Sequence, residues 1–299
     1  MTTPSARGWP RAYVITRNHN ALELTRECLA SLTNLTYPNV KVLVLDDGSR
    51  DGSGAKIARE FPNVEVLTSR RYVEYCRGLN LAARHALDAG AEYIFFVNND
   101  TKDFSPDYLE RAIEPMEKDT HIGIVGTECL DYDGGVRTSE EPKDKLGVRF
   151  NIPTEGYVVR RSVFRDVGFF DERLVRYFED LDLLIRLRAA GYETAFVPTA
   201  RFSHFGSGTS SRQIFIPNYY RTRNLCWFLK RRCADKPRGW RKQMSRRYVR
   251  VHTDRAKRSF REQKWGWAIG VAAATALGLT VGTLTRWPED GAIERLRER

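Results

Sequence analysis

The sequence predicts an α/β protein with a mostly parallel sheet and helices on both faces. Short apolar runs alternate with stretches of helical periodicity through the first hundred residues, the pattern of strand–helix–strand units. The runs are almost continuously apolar, as expected of parallel strands that are covered on both sides. At 299 residues and 41% hydrophobic content, the chain can bury a full core.

Four strands and three helices are predicted in the first hundred residues. The strands are predicted at residues 12–16, 40–45, 64–67 and 93–97. The helices are predicted at residues 21–35, through Ile57 and Phe61, and at 78–89.

The pattern loosens after the next predicted strand, at residues 122–125. Residues 130–152 are polar and rich in glycine, which predicts a long loop, and residues 154–174 combine a strand-like run with a short helix. An amphipathic helix then ends at Gly191, a residue well suited to that position. Its N-terminal end carries Glu179 and Asp180, where the helix dipole favours carboxylates.

Polar clusters follow three of the predicted strands. They are Thr16-Arg17-Asn18, Asp46-Asp47-Gly48-Ser49 and Asn98-Asn99-Asp100. Taken singly, such residues are ordinary turn formers. In a parallel sheet, however, the three clusters would meet at the edge where ligands bind, beyond the carboxyl ends of the strands. Together they predict a binding site at that edge.

The net charge of +11 is concentrated near the C-terminus. Residues 221–264 carry 17 Lys and Arg against 3 Asp and Glu, whereas residues 1–220 carry 28 against 31. The basic segment also contains aromatic residues, so anionic lipid head groups and nucleic acid both fit it as partners. Residues 265–285 are uncharged and rich in Ala, Gly and Thr. We expect a packed or peripheral helix there, with a single membrane span as the alternative.

Cysteine usage and the N-terminus indicate the compartment. The five cysteines are an odd number with scattered spacing and no CxxC pair, which predicts free thiols in a reducing environment. The N-terminal residues lack the long apolar stretch of a secretory signal. We therefore expect a cytoplasmic protein.

Five motifs in order carry a resemblance to a known family. They are LDDGSRDGS (45–53), VNND (97–100), EGYVVRRSVF with GFFDE (155–172), YFEDLDLLIRLRAAGY (177–192) and FSHFGSG (202–208). This set resembles family 2 glycosyltransferases, which are inverting enzymes of the glycosyltransferase-A fold, and within them the rhamnosyltransferase-like branch. The resemblance covers residues 11–210, so we expect a catalytic domain at 11–215 and a basic helical extension at 216–299.

The sequence departs from the family pattern in three places. The usual pair of metal-binding aspartates is replaced by Asn98-Asn99-Asp100, which leaves one carboxylate. The residues after the first strand are Arg17-Asn18-His19-Asn20 where the family commonly has Tyr-Asn. The stretch before the GxN motif, RRYVEYCRGLN, is bulky where relatives often have small residues.

The resemblance implies roles for the strand-end residues. One of Asp46 and Asp47 would accept hydrogen bonds from the base or ribose of a nucleotide-diphosphate sugar. The other residues implied near the donor are Thr16, Asn18, Ser49, Arg77, Asn80, Asn98 and Asn99. Asp100 and His204 would bind a Mn²⁺ or Mg²⁺ ion, which stabilises the diphosphate leaving group.

The paired carboxylates would carry the chemistry of transfer. An inverting transfer needs one base to remove the proton of the attacking hydroxyl group. The family pattern implies that Asp180 is this base and that Glu179 binds or orients the acceptor.

The expected function is therefore metal-dependent, inverting transfer of a sugar, with rhamnose from dTDP-rhamnose as the best candidate. The acceptor would be a saccharide or a lipid-linked glycan in cell-surface glycan synthesis. A lipid-linked acceptor favours a membrane surface over nucleic acid as the partner of residues 221–285, on the cytoplasmic face. Two alternative functions are a sugar-nucleotide pyrophosphorylase and a nucleic-acid-binding protein. A pyrophosphorylase would need a glycine-rich, basic N-terminal loop, and this sequence has no such loop. A nicotinamide dehydrogenase is disfavoured because no GxGxxG follows the first strand.

Overall fold

The computed structural model describes residues 8–131, 155–205, 215–261 and 265–285. The chain divides into two compact units. The first comprises Met1–Phe169 and Arg186–Thr209, and the second comprises Phe170–Ile185 and Ser210–Arg299. The predicted loop at 130–152 lies outside the described residues from position 132 onward.

The first unit is built on a sheet with strand order β3-β2-β1-β4-β7-β6-β8-β5. The strands in the described residues are β1 (Ala12–Asn18), β2 (Val40–Asp47), β3 (Glu65–Ser69), β4 (Tyr93–Val97), β5 (Thr101–Lys102), β6 (Ile122–Asp131), β7 (Gly156–Arg160) and β8 (Glu193–His204). Strands β3, β2, β1 and β4 pair in parallel, as do β6 and β8. The predicted fold class, a mostly parallel α/β sheet, is confirmed.

Helices connect and cover these strands. They are α1 (Leu22–Leu32), α2 (Ser53–Glu60), α3 (Tyr75–Asp88), α4 (Tyr108–Lys118), α5 (Arg161–Asp166), α6 (Glu179–Ala189), α7 (Phe215–Arg231), α8 (Arg238–Arg261) and α9 (Trp265–Leu284), with a short 3₁₀ helix at Glu172–Leu174. Helix α4 was not anticipated from the sequence. Pro115 lies inside it, and a proline in a helical pattern ordinarily signals its end.

The two antiparallel strands, β5 and β7, bring distant parts of the chain to the edge of the sheet that follows the carboxyl ends of β1, β2 and β4, which we call the ligand edge. Strand β7 lies between β4 and β6, with Phe95 opposite Val158. The two-residue strand β5 pairs with the end of β8, so that Thr101 lies opposite His204. This pairing joins the chain that follows β4 to the last residues of β8.

The core of the first unit is apolar and aromatic. Val14, Phe95 and Val158 are at most 1% exposed, as expected of strands covered on both faces. On one face, Phe104 stacks on Phe202 with ring centroids 5.5 Å apart, and Tyr108 lies 4.8 Å from Phe95. The resulting core gives the strand ends a rigid support.

The second unit contains the C-terminal helices and the segment that begins α6. Helices α7 and α9 pack closely against each other. A Cβ added at Gly282 of α9 would lie only 2.7 Å from Cβ of Cys226 on α7. Asp182 of α6 is fully buried and accepts a hydrogen bond from Nε of Arg232 at 2.5 Å. Among the residues described, no helix combines the length and the apolar character needed to cross a bilayer.

The packing of α2 against β2 gives a test of the fold. A Cβ added at Gly54 would lie 2.2 Å from Oδ2 of Asp46. Asp46 is held by Asn18 and Ser49, so it cannot move aside without losing hydrogen bonds. We expect Gly54→Ala to lower the free energy of unfolding by about 2 kcal/mol, as overpacking does, measured by urea denaturation.

A matched control is Gly239→Ala in helix α8. A Cβ added there meets no atom within 4 Å, and alanine favours a helix over glycine, so stability should stay constant or rise by about 0.5 kcal/mol. Equal effects of the two substitutions would contradict the close approach of α2 to Asp46.

Candidate functional site

The ends of β1 and β2 form the first part of the site. Parallel register places Asn18 beside Asp46, and Nδ2 of Asn18 donates to Oδ1 of Asp46 at 2.8 Å and to Oγ of Ser53 at 2.7 Å. The hydroxyl of Ser49 also donates to Oδ1 of Asp46, at 2.5 Å. The two predicted clusters therefore meet as a hydrogen-bonded network at the ligand edge.

Asp47 ties three segments together. Its fully buried carboxylate accepts hydrogen bonds from Nε and Nη2 of Arg17 at 2.8 and 2.5 Å. The other oxygen, Oδ1, accepts from the backbone N–H of Val73 at 2.7 Å and from the hydroxyl of Ser69 at 3.2 Å. A buried carboxylate needs such partners, because desolvation alone would be strongly unfavourable.

Residues 70–75 pack over this carboxylate. Gly48 has a φ of +61°, and a Cβ there would lie 2.3 Å from the backbone nitrogen of Tyr72. The Arg17 guanidinium lies 5.1 Å from the ring centroid of Tyr72 and 5.8 Å from that of Tyr75. The bulky stretch noted in the sequence thus forms an aromatic cover over Arg17.

The third strand-end cluster joins the same network. Nδ2 of Asn99 donates to Oγ1 of Thr25 at 2.9 Å, and that hydroxyl donates to Oδ1 of Asn18 at 2.9 Å. The Tyr75 hydroxyl donates to Oδ1 of Asn98 at 3.2 Å. The convergence of all three clusters, expected from the parallel sheet, is present.

Asp100 and His204 lie in contact at this edge. Oδ1 of Asp100 is 3.1 Å from Nε2 of His204, and each residue is 7% exposed. The β5–β8 pairing fixes them, with a further hydrogen bond from Phe205 N to the Asp100 carbonyl at 2.9 Å. A carboxylate and an imidazole side by side fit a divalent cation that completes its shell with phosphate oxygens and water. Across the described ranges, no group of three or more His, Cys, Asp or Glu is arranged to hold a metal.

The remaining predicted donor residues differ in accessibility. Thr16 is fully buried in β1, Asn80 is 2% exposed in α3, and Arg77 is exposed. Gly78, between the last two, lies against β2, because a Cβ there would be 2.7 Å from Leu45. The GxN glycine therefore allows α3 to approach the sheet closely.

Sequence reasoning missed three residues of the network. Thr25 joins two strand-end clusters, Tyr75 contacts Asn98, and Arg17, although it belongs to a predicted strand-end cluster, was assigned no role in the site. Arg17 had a detectable signal, since a charged residue directly follows the strand predicted at residues 12–16, and Asp47 follows the next predicted strand along the chain. The other two contacts depend on tertiary structure.

Glu179 and Asp180 belong to the second unit, at the start of α6. Oδ1 of Asp180 accepts a hydrogen bond from the backbone N–H of Leu181 at 2.7 Å. Oε2 of Glu179 is buried and has no hydrogen-bond partner among the described residues. Burial, followed by the charge of Asp180, raises the pKa of Glu179 to about 8. Glu179 is therefore largely neutral at pH 7.

The five cysteines are buried thiols. None of them forms a disulfide, as the odd number and scattered spacing predicted. Burial raises the pKa of Cys28 to about 12, so its thiol is not ionised near neutral pH.

Comparison with known proteins supports the family resemblance seen in the sequence. The family profile described as glycosyl transferase family 2 matches residues 13–168, and that described as glycosyl transferase family group 2 matches residues 93–288. A curated relative, the N-acetylglucosaminyl-diphospho-decaprenol L-rhamnosyltransferase of Mycobacterium tuberculosis, is 28% identical over 250 residues. The match covers 71% of this chain and 80% of the relative.

Solved structures share the fold. The mannosyltransferase PcManGT from Pyrobaculum calidifontis, solved with GDP-Man and Mn²⁺, has a TM-score of 0.57 at 18% identity and covers 99% of this chain and 81% of its own. Staphylococcus aureus TarS 1-349, solved with UDP-GlcNAc, has a TM-score of 0.61 at 16% identity, with 91% and 90% covered. With the profile matches, these findings show that the chain belongs to glycosyl transferase family 2, is similar to its rhamnosyltransferases, and is a glycosyltransferase.

Proposed function

We propose that the protein transfers a sugar, with inversion, from a nucleotide-diphosphate donor to a saccharide or lipid-linked acceptor. The observation that carries the proposal is the convergence of three strand-end clusters and the Asp100–His204 pair at one edge of the sheet. The Mycobacterium tuberculosis relative is named as a rhamnosyltransferase acting on a lipid diphosphate. This favours dTDP-rhamnose as the donor and a polyprenyl-linked glycan as the acceptor, in cell-surface glycan synthesis.

The donor nucleotide is assigned to the ends of β1 and β2. Both oxygens of Asp47 already accept hydrogen bonds from the protein. The hydrogen bonds to Asp46 described above all reach Oδ1. This difference favours Asp46 over Asp47 as the carboxylate that contacts the base or ribose. Asp47 instead holds Arg17 and residues 70–75 in place.

Asp100 and His204 are assigned to a divalent cation. A bound Mn²⁺ or Mg²⁺ would stabilise negative charge on the departing diphosphate. Two protein ligands leave most of the coordination shell to donor oxygens and water, so metal and donor should bind together. The imidazole favours Mn²⁺ over Mg²⁺, and PcManGT was solved with Mn²⁺.

Asp180 is assigned as the base. With Glu179 largely neutral at pH 7, Asp180 is the carboxylate of the pair to which we assign acceptance of the proton of the acceptor hydroxyl. The protonated Glu179 carboxyl can donate a hydrogen bond, which suits a group that orients the acceptor.

The second unit is assigned to the cytoplasmic surface of a membrane, where a lipid-linked acceptor would be found. Helix α8 is strongly basic, which suits anionic head groups. On α9, Ile269, Leu277 and Leu284 are 66%, 44% and 78% exposed. Exposed apolar side chains beside a basic helix suit peripheral contact with lipid.

A donor screen tests the main proposal together with the metal site. We expect nucleotide-diphosphate release from dTDP-rhamnose, or from a UDP- or GDP-sugar, when Mn²⁺ or Mg²⁺ and a polyprenyl-diphosphate N-acetylglucosamine acceptor are present. Asp100→Asn should weaken metal-dependent donor binding at least 10-fold, because it removes the only carboxylate of the Asp100–His204 pair.

The matched control is Asp103→Asn, at an exposed acid three residues away, which should bind donor and metal normally. Donor affinity of Asp100→Asn that matches wild type with and without EDTA would remove Asp100 from the metal site. Absence of transfer with every donor would contradict the proposed function, and nucleoside-triphosphate formation would favour a pyrophosphorylase.

The roles of the paired carboxylates can be separated by isosteric amides. Asp180→Asn should lower kcat by about 10³-fold, as loss of a general base does, with donor affinity unchanged. Glu179→Gln should keep kcat within about 10-fold of wild type at pH 7, because the native group is already largely neutral there.

The control is Asp182→Asn on the same helical turn, which breaks the ion pair with Arg232 and should lower stability more than kcat. Wild-type turnover by Asp180→Asn would exclude Asp180 as the base.

The buried Glu179 also predicts a pH dependence of stability. Below pH 4.5, its ordinary pKa, the group is neutral in the folded and unfolded states. As pH rises toward 8 the unfolded state ionises first, so stability is lost progressively and the loss is complete above the folded pKa.

Glu179→Gln removes this titration. We therefore expect the variant to gain stability relative to wild type between pH 5 and pH 8.5, on the order of 4 kcal/mol, measured by urea unfolding at several pH values. A stability difference that is constant across this range would show that Glu179 is ionised in the folded protein.

A further inference from the structure

The loop that leads into α6 has an unusual backbone. Val175, Tyr177 and Phe178 have φ values of +66°, +68° and +73°. Positive φ is unfavourable for residues with a Cβ, and especially for β-branched and bulky ones. Such conformations persist only where the surroundings enforce them, and they cluster at functional sites. This loop ends directly before Glu179 and Asp180.

Asn224 of α7 enforces the loop conformation. Its Nδ2 donates to the carbonyl oxygens of Leu174 at 2.8 Å, Arg176 at 2.8 Å and Tyr177 at 2.9 Å. The side chain is fully buried. The two N–H groups of this amide therefore lie within hydrogen-bonding distance of three carbonyl oxygens, at the end of the 3₁₀ helix and in the loop after it, so that one N–H is shared. Buried carbonyls need such donors.

Arg223 fixes the orientation of that amide. Its Nε and Nη2 donate to Oδ1 of Asn224 at 2.9 and 2.7 Å, so the Nδ2 end must face the loop. Nη2 also donates to the carbonyls of Arg173 and Leu174 at 3.0 and 3.1 Å. The guanidinium lies 4.1 Å from the ring centroid of Trp227, which limits its movement.

The loop conformation determines where α6 begins. The carbonyl of Phe178 accepts the hydrogen bond of Asp182 N at 2.9 Å, in the first turn of the helix. The Phe178 ring packs 5.5 Å from that of Phe228 on α7. The carboxylates of Glu179 and Asp180 are therefore placed by a loop that α7 holds in a strained shape.

We propose that Asn224, held by Arg223, is a positioning residue for the Asp180 base and for the buried Glu179. The inference rests on the proposed role of Asp180. Without the amide, the loop should relax toward negative φ, the first turn of α6 should shift, and water should reach Glu179. The groups that act electrostatically on Glu179 are Asp180 and Arg176, and both move with the same loop.

Asn224→Ala and the isosteric Asn224→Asp test this proposal. Aspartate cannot donate to three carbonyls and would repel them. We expect kcat to fall 10-fold or more in both variants, while the KM for the donor changes less than 3-fold. The pH profile of kcat should also shift, because a relaxed loop alters the environment of both carboxylates. Arg223→Lys, which keeps the charge but cannot hold Oδ1 with two nitrogens, should show a smaller change in the same direction.

The matched control is Cys226→Ala, a buried position on the same helix that faces α9. It should lower the melting temperature without shifting the pH profile, which separates a general loss of stability from mispositioning. Wild-type kcat and pH profile in folded Asn224→Ala would overturn the proposal. If the Asn224 variants do not fold, a wild-type kcat and pH profile in Arg223→Lys would overturn it.

A measurement without substrate separates this inference from the proposed function. Side-chain ¹³C labelling of glutamate, with Glu179→Gln to assign the signal, follows the titration of Glu179 in the full-length protein. In wild type the Glu179 signal should titrate near pH 8, and in Asn224→Ala it should titrate at lower pH. An unchanged titration contradicts the positioning role whether or not transfer is observed. A shifted titration in a protein that transfers no sugar leaves the positioning of the pair standing and removes the proposed reaction.

Discussion

The hydrogen bonding of the two buried carboxylates Asp46 and Asp47 is the constraint on which the ligand edge depends. A carboxylate removed from water is costly unless all its lone pairs are occupied. Asp47 meets this requirement with Arg17, Val73 and Ser69, which come from the ends of three different segments. The strand ends are therefore held together by polar contacts as well as by the sheet. Burial in an aromatic core beneath them keeps these contacts rigid.

Much of this arrangement could be predicted from the sequence, because it follows from local pattern and parallel topology. Near-continuous apolar runs predict the strands, and in a parallel sheet the polar residues that follow these strands lie at one edge. The division of roles between the two aspartates could not be predicted. It depends on which carboxylate faces Arg17, and this is set by the register of β1 on β2 and by a cover formed from residues 70–75.

Other features depend on contacts between residues far apart in the chain. The Asp100–His204 pair is formed by a two-residue strand that no periodicity could reveal. Helix α4 is amphipathic, but Pro115 inside it interrupts the sequence pattern from which a helix is predicted. The amide of Asn224 supports carbonyls 47 to 50 residues earlier, and an asparagine inside a helical pattern carries no sequence signal of such a role. The family resemblance identified the acids that follow the loop, but not what holds the loop.

The two carboxylates that begin α6 illustrate how environment separates chemically similar groups. Glu179 is buried, and its Oε2 has no hydrogen-bond partner among the described residues, whereas Asp180 accepts a hydrogen bond from the backbone N–H of Leu181. If both were ionised, their mutual repulsion would raise the energy of the folded state. The raised pKa of Glu179 keeps that group largely neutral at pH 7 and avoids this repulsion beside the residue proposed as the base. That asymmetry requires a dry, fixed position for Glu179, and a backbone free to relax to negative φ would not maintain it. The strained loop and the charge state of the pair are therefore two consequences of the same support from helix α7.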